Sequence, residues 1–105
     1  MTELNDNNYS TEISHGKSAV LFWADWCSYC TPMKTCLSEI DVVSSENGNT
    51  HMKIYICNVE DSPKVANDNN LMSLPTIVLF NQGKEYNRLL GSQNPAALRE
   101  IILEN

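Results

Sequence analysis

The sequence predicts a single α/β domain in which a mixed β-sheet of four to five strands is flanked by helices on both faces. Its 105 residues are enough for one compact unit but not for two. Short apolar runs alternate with helical patterns as strand, helix, strand and helix, and a two-strand hairpin and a last helix follow. Since a strand–helix–strand unit pairs its strands in parallel and a hairpin pairs them antiparallel, residues 1–105 are expected to form one domain around a mixed sheet.

The first half of the chain is predicted to contain a short helix, a central strand and a long helix. Tyr9 and Ile13 have the i, i+4 spacing of a short helix. The apolar run Ala19–Trp23 is short enough to be a strand and apolar enough to be buried on both faces. From Cys30 onward, apolar residues recur every three or four positions until a polar break over 44–50, which predicts a helix of about four turns. The apolar positions are Met33, Cys36, Leu37, Ile40 and Val43.

A second strand and a second short helix should follow the polar break. Lys53–Cys57 is rich in β-branched and aromatic residues, which favour a buried strand. Ser62 and Pro63 are typical of a helix N-cap followed by proline at the first helical position. This helix is predicted to end at an Asn-rich loop over 67–70.

The last part of the chain predicts a hairpin and a final helix. Thr76–Phe80 and Glu85–Leu90 are expected to pair across a turn at 81–84. Asn94 and Pro95 repeat the combination of a cap with a proline, so a helix should begin there. Its inner face is formed by Leu98, Ile101 and Ile102.

Composition excludes several functional classes. Thirteen acidic against seven basic side chains give a formal charge of -6, which repels phosphate backbones and argues against nucleic-acid binding. No apolar run approaches the ~20 residues that a membrane span needs. The first eight residues lack the basic start and apolar centre of a secretory signal. A cytoplasmic protein is therefore expected, with neither a nucleic acid nor a membrane as partner.

Cys27-Ser28-Tyr29-Cys30 is a C-x-x-C motif at the point where the central strand gives way to the long helix. A cysteine attacks as its thiolate, and the positive end of a helix dipole with free backbone N–H groups favours that form, which predicts a lowered thiol pKa for Cys27. Cys30 lies within reach, so it can displace a group captured by Cys27 at a high effective concentration. The pair can carry two electrons.

The other reading of this motif is half of a zinc site. Structural zinc needs four ligands, whereas this chain has no second C-x-x-C and no closely spaced pair of histidines. His15 and His51 each stand alone in polar segments. No metal is therefore expected. Cys36 and Cys57 occupy apolar contexts and are interpreted as small core residues and not as working thiols.

Several motifs in order give the chain a family resemblance. The stretch from Phe22 to Cys30 reads FWADWCSYC, Leu74-Pro75-Thr76 precedes a buried strand, and a turn at 81–84 and Gly91 come before the last helix. Together they resemble the thioredoxin family over residues 4–103. The resemblance implies a thioredoxin fold and a thiol-disulfide oxidoreductase that reduces protein disulfides as a monomer, with no cofactor beyond the cysteine pair. It also implies that a flavoprotein thioredoxin reductase supplies the electrons.

The resemblance assigns roles to individual residues. Cys27 would attack the disulfide and Cys30 would resolve the intermediate. A cis peptide bond is implied between Leu74 and Pro75, packed against the cysteines, where the proline exposes backbone that can pair with an extended substrate. Trp26 would lie on the surface as an apolar contact for substrates. The residues expected to support the active site are Trp26, Ser28, Tyr29, Leu74, Pro75 and Thr76.

The chain departs from the family pattern at three places. Ser28-Tyr29 replaces the usual Gly-Pro between the cysteines, which should alter the redox potential. Leu21 and Ile56 stand where the family usually buries an aspartate and a lysine, and that carboxylate is the family's proton acceptor for the resolving thiol. Resolution by Cys30 is therefore expected to be slow near neutral pH. The proline of the active-site helix would fall at Thr35, but here it is Pro32, in the first turn.

Three alternative functions remain open at this stage. Tyr29 before the second cysteine suggests a glutaredoxin-like protein that depends on glutathione, although the paired glycines of such proteins are represented by Gly91 alone. A second alternative is a module that binds an iron–sulfur cluster between two protomers. A third is a chaperone-like subunit that makes no catalytic use of its cysteines.

Overall fold

A computed structural model describes residues 1–46 and 52–103 of the chain. Within them, strands and helices follow each other as the sequence predicts, with one addition at the start. The elements are β1 (Thr2–Glu3), α1 (Tyr9–Ile13), β2 (Lys17–Trp23), α2 (Cys30–Glu46), β3 (Met52–Asn58), α3 (Pro63–Asp68), β4 (Thr76–Asn81), β5 (Lys84–Leu90) and α4 (Pro95–Leu103).

The five strands form one mixed sheet in the order β1-β3-β2-β4-β5. β2 lies at its centre, parallel to β3 and antiparallel to β4, and Leu21 of β2 is directly opposite Ile56 of β3. The pairing of β2 with β4 runs from Lys17 opposite Asn81 to Phe22 opposite Thr76. The carboxyl ends of β2 and β3 therefore share an edge of the sheet with the start of β4.

Two hydrophobic clusters cover the two faces of the sheet. Successive residues of a strand point to opposite faces, so Leu21 belongs to the cluster that also contains Leu37 of α2 and Leu98 of α4. Phe22 belongs to the other cluster, which contains Ile13 of α1 and Val65 of α3. The predicted α/β class, with a mixed sheet covered by helices on both faces, is confirmed.

Strands β2 to β5 each extend one or two residues beyond the predicted bounds, and three other differences concern β1, α2 and α3. β1 is only two residues long and pairs with Tyr55 and Ile56 of β3. α2 continues through Ser44 to Glu46, beyond the start of the predicted break, and the rest of that break lies outside the described residues. α3 ends at Asp68, so the loop that follows begins at Asn69 and not at 67.

The start of α3 is capped from a distance. Ser62 occupies the predicted N-cap position, but its side chain makes no capping hydrogen bond. The carboxylate of Asp6 instead accepts hydrogen bonds from the backbone N–H groups of Val65, at 2.9 Å, and Lys64, at 3.4 Å. A charged acceptor at the positive end of a helix satisfies the free amides better than a neutral hydroxyl does.

The remaining turns follow the predicted chemistry. Gln82 and Gly83 both have positive φ, which allows a two-residue loop between β4 and β5. The side chain of Asn94 accepts hydrogen bonds from the N–H groups of Ala96 and Ala97 and so caps α4. Within residues 1–46 and 52–103, none of the helices is long and apolar enough to cross a membrane.

Candidate functional site

Cys27 and Cys30 form a disulfide at the junction between the central strand and α2. The N–H of Cys27 donates to the carbonyl of Ala24, and the N–H of Cys30 donates to the carbonyl of Cys27, so two successive turns carry the chain from β2 into the helix. Because Cys30 is the first residue of α2, the free amides of the first helical turn point back toward the loop that holds Cys27. Cys27 is 7% exposed and Cys30 1%.

Segments from three strands meet at this edge of the sheet. The N–H of Val59, just after β3, donates to the carbonyl of Trp23 at 2.9 Å. Thr76, the first residue of β4, pairs with Phe22 near the end of β2. Pro75 therefore lies at the end of the sheet from which the chain leaves for Cys27, and its carbonyl accepts a hydrogen bond from the N–H of Gly91.

The loop before β4 has the expected backbone. The peptide bond between Leu74 and Pro75 is cis, as the resemblance implied. The hydroxyl of Thr76 donates to the carbonyl of Ser73 at 2.7 Å and ties the two ends of this turn together. Pro75 and Thr76 are buried, whereas Leu74 is half-buried against the α1/α3 side of the core.

Large apolar side chains remain exposed beside the disulfide. Trp26 and Tyr29 are each 69% exposed, Met72 is 91% exposed, and Ser28 is exposed as well. A groove of about 500 Å³ runs between Trp26, α3 and the loop before Pro75. It is lined by Trp26, Val59, Pro63, Ala66, Asn67, Leu71, Met72, Ser73 and Leu74. Of the predicted supporting residues, Trp26 and Leu74 line this groove, and α3 supplies a wall that the sequence did not reveal.

The position on β2 and β3 where the family usually buries an ion pair is apolar here. Leu21 is fully buried and Ile56 packs against the same cluster, and the two are direct partners in the register of β2 and β3. An aspartate and a lysine at these positions would therefore be adjacent across the two strands. Their replacement by Leu21 and Ile56 leaves no carboxylate at this point to take a proton from a thiol.

A cation of α2 lies over a neighbouring residue of β2. The ammonium of Lys34 lies 3.5 Å from the centroid of the Trp23 ring, a cation–π contact. Lys34 is one helical turn after Cys30, and no sequence pattern indicates its contact with Trp23. Trp23 is half-buried, packs against the core and has a buried indole N–H without a hydrogen-bond partner among the described residues.

The other two cysteines lie away from the junction. Cys57 is fully buried in the cluster between the sheet and α1/α3, and burial raises the pKa of its thiol to about 11. Cys36 is half-buried on α2 against the opposite cluster, and burial raises its pKa too. Both are free thiols, in agreement with the prediction that they serve packing.

A second hydrogen-bond network holds the loop that leads to the groove. Arg88 of β5 donates to the carboxylate of Glu85 through two nitrogens and to the carbonyl of Asn69 at 2.8 Å. The buried side chain of Asn69 donates to the carbonyl of Val65 and to the hydroxyl of Tyr9. The contacts of Arg88 with Asn69 and of Asn69 with Tyr9 join distant parts of the sequence, and no local pattern indicates them.

Metal ligands are not gathered anywhere in the described part of the chain: residues 1–46 and 52–103 contain no group of three or more His, Cys, Asp or Glu side chains that could hold an ion. His15 is exposed before β2, and His51 lies outside the described residues.

Comparisons with known proteins agree with this geometry. The family model for thioredoxin matches residues 1–104. A thioredoxin of Mycolicibacterium smegmatis is 36% identical over 101 residues, covering 91% of this chain and 87% of that protein. A thioredoxin of Buchnera aphidicola is 33% identical over 107 aligned residues, covering 98% and 94% of the two chains.

A solved structure shows the same fold. It comes from work on the thiol-resolving mechanism of yeast mitochondrial 1-Cys peroxiredoxin through the glutathione and thioredoxin systems, and it superposes with a TM-score of 0.82 at 25% identity. The match covers all of this chain and 95% of the other. The chain belongs to the thioredoxin family and is a thiol-disulfide oxidoreductase.

Proposed function

We propose that this protein reduces disulfides of other proteins by dithiol–disulfide exchange, with Cys27 as the attacking and Cys30 as the resolving cysteine. The observation that carries the proposal is the disulfide between these two residues at the start of α2, beside an open apolar groove. Cys27 is the more exposed of the two and precedes the helix, which supports its role as nucleophile.

The exchange takes place in two balanced steps. The Cys27 thiolate attacks one sulfur of the substrate disulfide, forms a mixed disulfide and releases the other substrate sulfur as a thiolate, which takes up a proton. Cys30 then loses its proton, attacks the sulfur of Cys27 and releases the second substrate thiol. The substrate gains two electrons, and the Cys27–Cys30 pair loses them.

The supporting residues act on the bound substrate. Trp26 and Tyr29 offer exposed apolar surface on either side of Cys27, and Ser28 lies between the cysteines, where a small side chain leaves room for approach. Leu74 forms part of the groove wall. Pro75 and Thr76 hold the turn at the start of β4, next to which an extended substrate segment can lie.

The wider setting belongs to the same proposal. Residues 1–105 work as one domain and as a monomer in the cytoplasm. A flavoprotein thioredoxin reductase returns the two electrons, and no cofactor is needed beyond the cysteine pair.

Reduction of a protein disulfide with two alternative electron sources tests the proposal. With NADPH and thioredoxin reductase the wild-type protein should turn over, and Cys27→Ser should fall to the uncatalysed rate. Cys36→Ser, a matched loss of one thiol from α2, should retain activity. Turnover only with glutathione and glutathione reductase would indicate the glutaredoxin-like alternative, and full activity of Cys27→Ser would contradict the proposed mechanism.

A further inference from the structure

We propose that the groove beside Cys27 prefers disulfides in cationic protein segments, with an apolar residue near the cystine and Lys or Arg around it. This inference rests on the proposed function and specifies its substrate class. It comes from the distribution of charge around the groove, which is uneven even for an acidic protein.

The groove itself is neutral and mostly apolar. Its lining combines Trp26, Val59, Leu71 and Leu74 with small or amide side chains and contains no charged residue. Met72 is 91% exposed and is unbranched, so it can adapt to apolar partners of different shape. An apolar side chain of a substrate would therefore be accommodated here, whereas a charged one would lose hydration without gaining a partner.

The rim of the groove is acidic. Asp25 immediately precedes Trp26, Glu60 and Asp61 immediately follow Val59, and Asp68 follows Asn67; all four are exposed. Glu60 and Asp61 are held in a fixed turn, because the side chain of buried Asn58 accepts hydrogen bonds from both of their N–H groups. Four carboxylates thus adjoin residues that line the groove.

Of the seven basic residues, exposed Lys64 adjoins the lining in the same way, because it directly follows Pro63, and the other six are found elsewhere. All seven Lys and Arg side chains belong to the described part of the chain, and none of them lines the groove. Three lie at the opposite end of the sheet, namely Lys17, Lys53 and Lys84. Of the cations on elements that border the site, Lys34 lies over the Trp23 ring and Lys64 is on α3 after Pro63. Arg88 is engaged by Glu85 and the carbonyl of Asn69.

Charge complementarity favours a cationic protein segment in the groove. A segment with Lys or Arg on either side of an apolar residue meets opposite charge at the rim and an uncharged surface within it, whereas an acidic segment meets like charge. A second copy of this chain would bring the same acidic rim against its own. Since the rim carboxylates are solvated, we expect them to act mainly on the rate of association and to be screened by salt.

The test uses two peptides with the same cystine and the same apolar neighbour, one flanked by Lys and the other by Glu. The second-order rate constant for oxidation of pre-reduced protein by each peptide is followed by tryptophan fluorescence, so no reductase takes part. At ~10 mM ionic strength the Lys peptide should react about fivefold to tenfold faster, and near 1 M salt, where the screening length is about 3 Å, the two rates should converge.

Charge-reversal variants separate the rim from net charge. Glu60→Lys/Asp61→Lys should abolish or invert the preference, whereas Glu39→Lys/Glu100→Lys, the same change of charge at exposed positions on α2 and α4, should preserve most of it. Equal rates for the two peptides in low salt, or equal effects of the two double variants, would overturn the charge preference while leaving disulfide reduction intact. Reaction with neither peptide would overturn the proposed function and this preference together.

Discussion

The four cysteines of this protein lie in two contrasting regions. Cys27 and Cys30 are joined to each other where the central strand ends and α2 begins, next to an open groove. Cys36 and Cys57 are separate, one on each side of the sheet, and each packs against a hydrophobic cluster. Burial alone does not distinguish the regions, because Cys30 is as inaccessible as Cys57.

The difference lies in what surrounds the sulfur. A thiol at the start of a helix faces free amides that stabilise the thiolate, whereas burial of a thiol in an apolar cluster removes water and favours the neutral form. The raised pKa of Cys57 is the consequence of the second situation. We therefore expect the same residue type to be reactive at the junction and inert in the interior, and the following predictions test that contrast.

The largest effect is expected from Cys30→Ser. Without the resolving thiol, Cys27 should remain attached to its substrate, so turnover should fall by about 10³-fold or more and a mixed disulfide should accumulate. Intact-mass measurement after mixing with a protein disulfide would detect the adduct. Cys36→Ser is the control and should form no stable adduct. Unimpaired turnover by Cys30→Ser would show that Cys30 is no more important for catalysis than Cys36 or Cys57.

The second prediction concerns a variant with a carboxylate at position 21, where the family usually buries its proton acceptor. In Leu21→Asp/Ile56→Lys the new carboxylate and ammonium would be adjacent across β2 and β3, and resolution by Cys30 at neutral pH should become at least about tenfold faster. Release of substrate from a preformed mixed disulfide measures this step. Resolution no faster than in the parent would show that Cys30 does not lack a base.

The single variant Leu21→Asp provides the matched comparison. It leaves an unpaired charge at a fully buried position, so the free energy of unfolding should fall by about 3 kcal/mol or more, and by less in the double variant. Urea unfolding of the three proteins would measure the difference.

A smaller effect, on the pH dependence of stability, is expected for Cys57→Ala in the hydrophobic interior. Because burial raises the pKa of Cys57 to about 11 from 9.0, the unfolded chain loses this proton at lower pH than the folded one. The contribution of this pKa shift to the free energy of unfolding is therefore complete below about pH 9 and is lost as the pH rises to about 11. That loss amounts to roughly 2 to 3 kcal/mol. The stability difference between wild type and Cys57→Ala should narrow by that amount between pH 8.5 and 11. A constant difference in urea unfolding would argue against a strongly shifted thiol.

Local patterns were sufficient for most of the fold. Apolar runs, helical periodicity and the combination of a cap with a proline predicted the bounds of the described helices, and of the described strands other than β1, to within a few residues, because burial of an element leaves a local pattern of apolar residues in the sequence. The motif at Cys27 and Cys30 was visible for the same reason: its spacing and its position between a strand and a helix are both local properties.

Contacts between distant residues were not predictable in this way. Asp6 caps α3, Arg88 binds the carbonyl of Asn69, and Lys34 lies over Trp23, and in each case the partners come from different elements. The α3 wall of the groove has a similar origin, since it depends on how that helix lies against the sheet edge. Side-chain pairing of this kind is determined by packing, which periodicity does not encode.

The central claim is that the junction keeps Cys27 reactive while the interior keeps the other thiols inert. Alkylation of the fully reduced protein with iodoacetamide at about pH 6, with the modified residues identified by peptide mass, tests it most directly. Cys27 should react at least about tenfold faster than Cys36 and faster still than Cys57. Modification of Cys27 at the rate of Cys36 or of an unstructured peptide thiol would contradict the account.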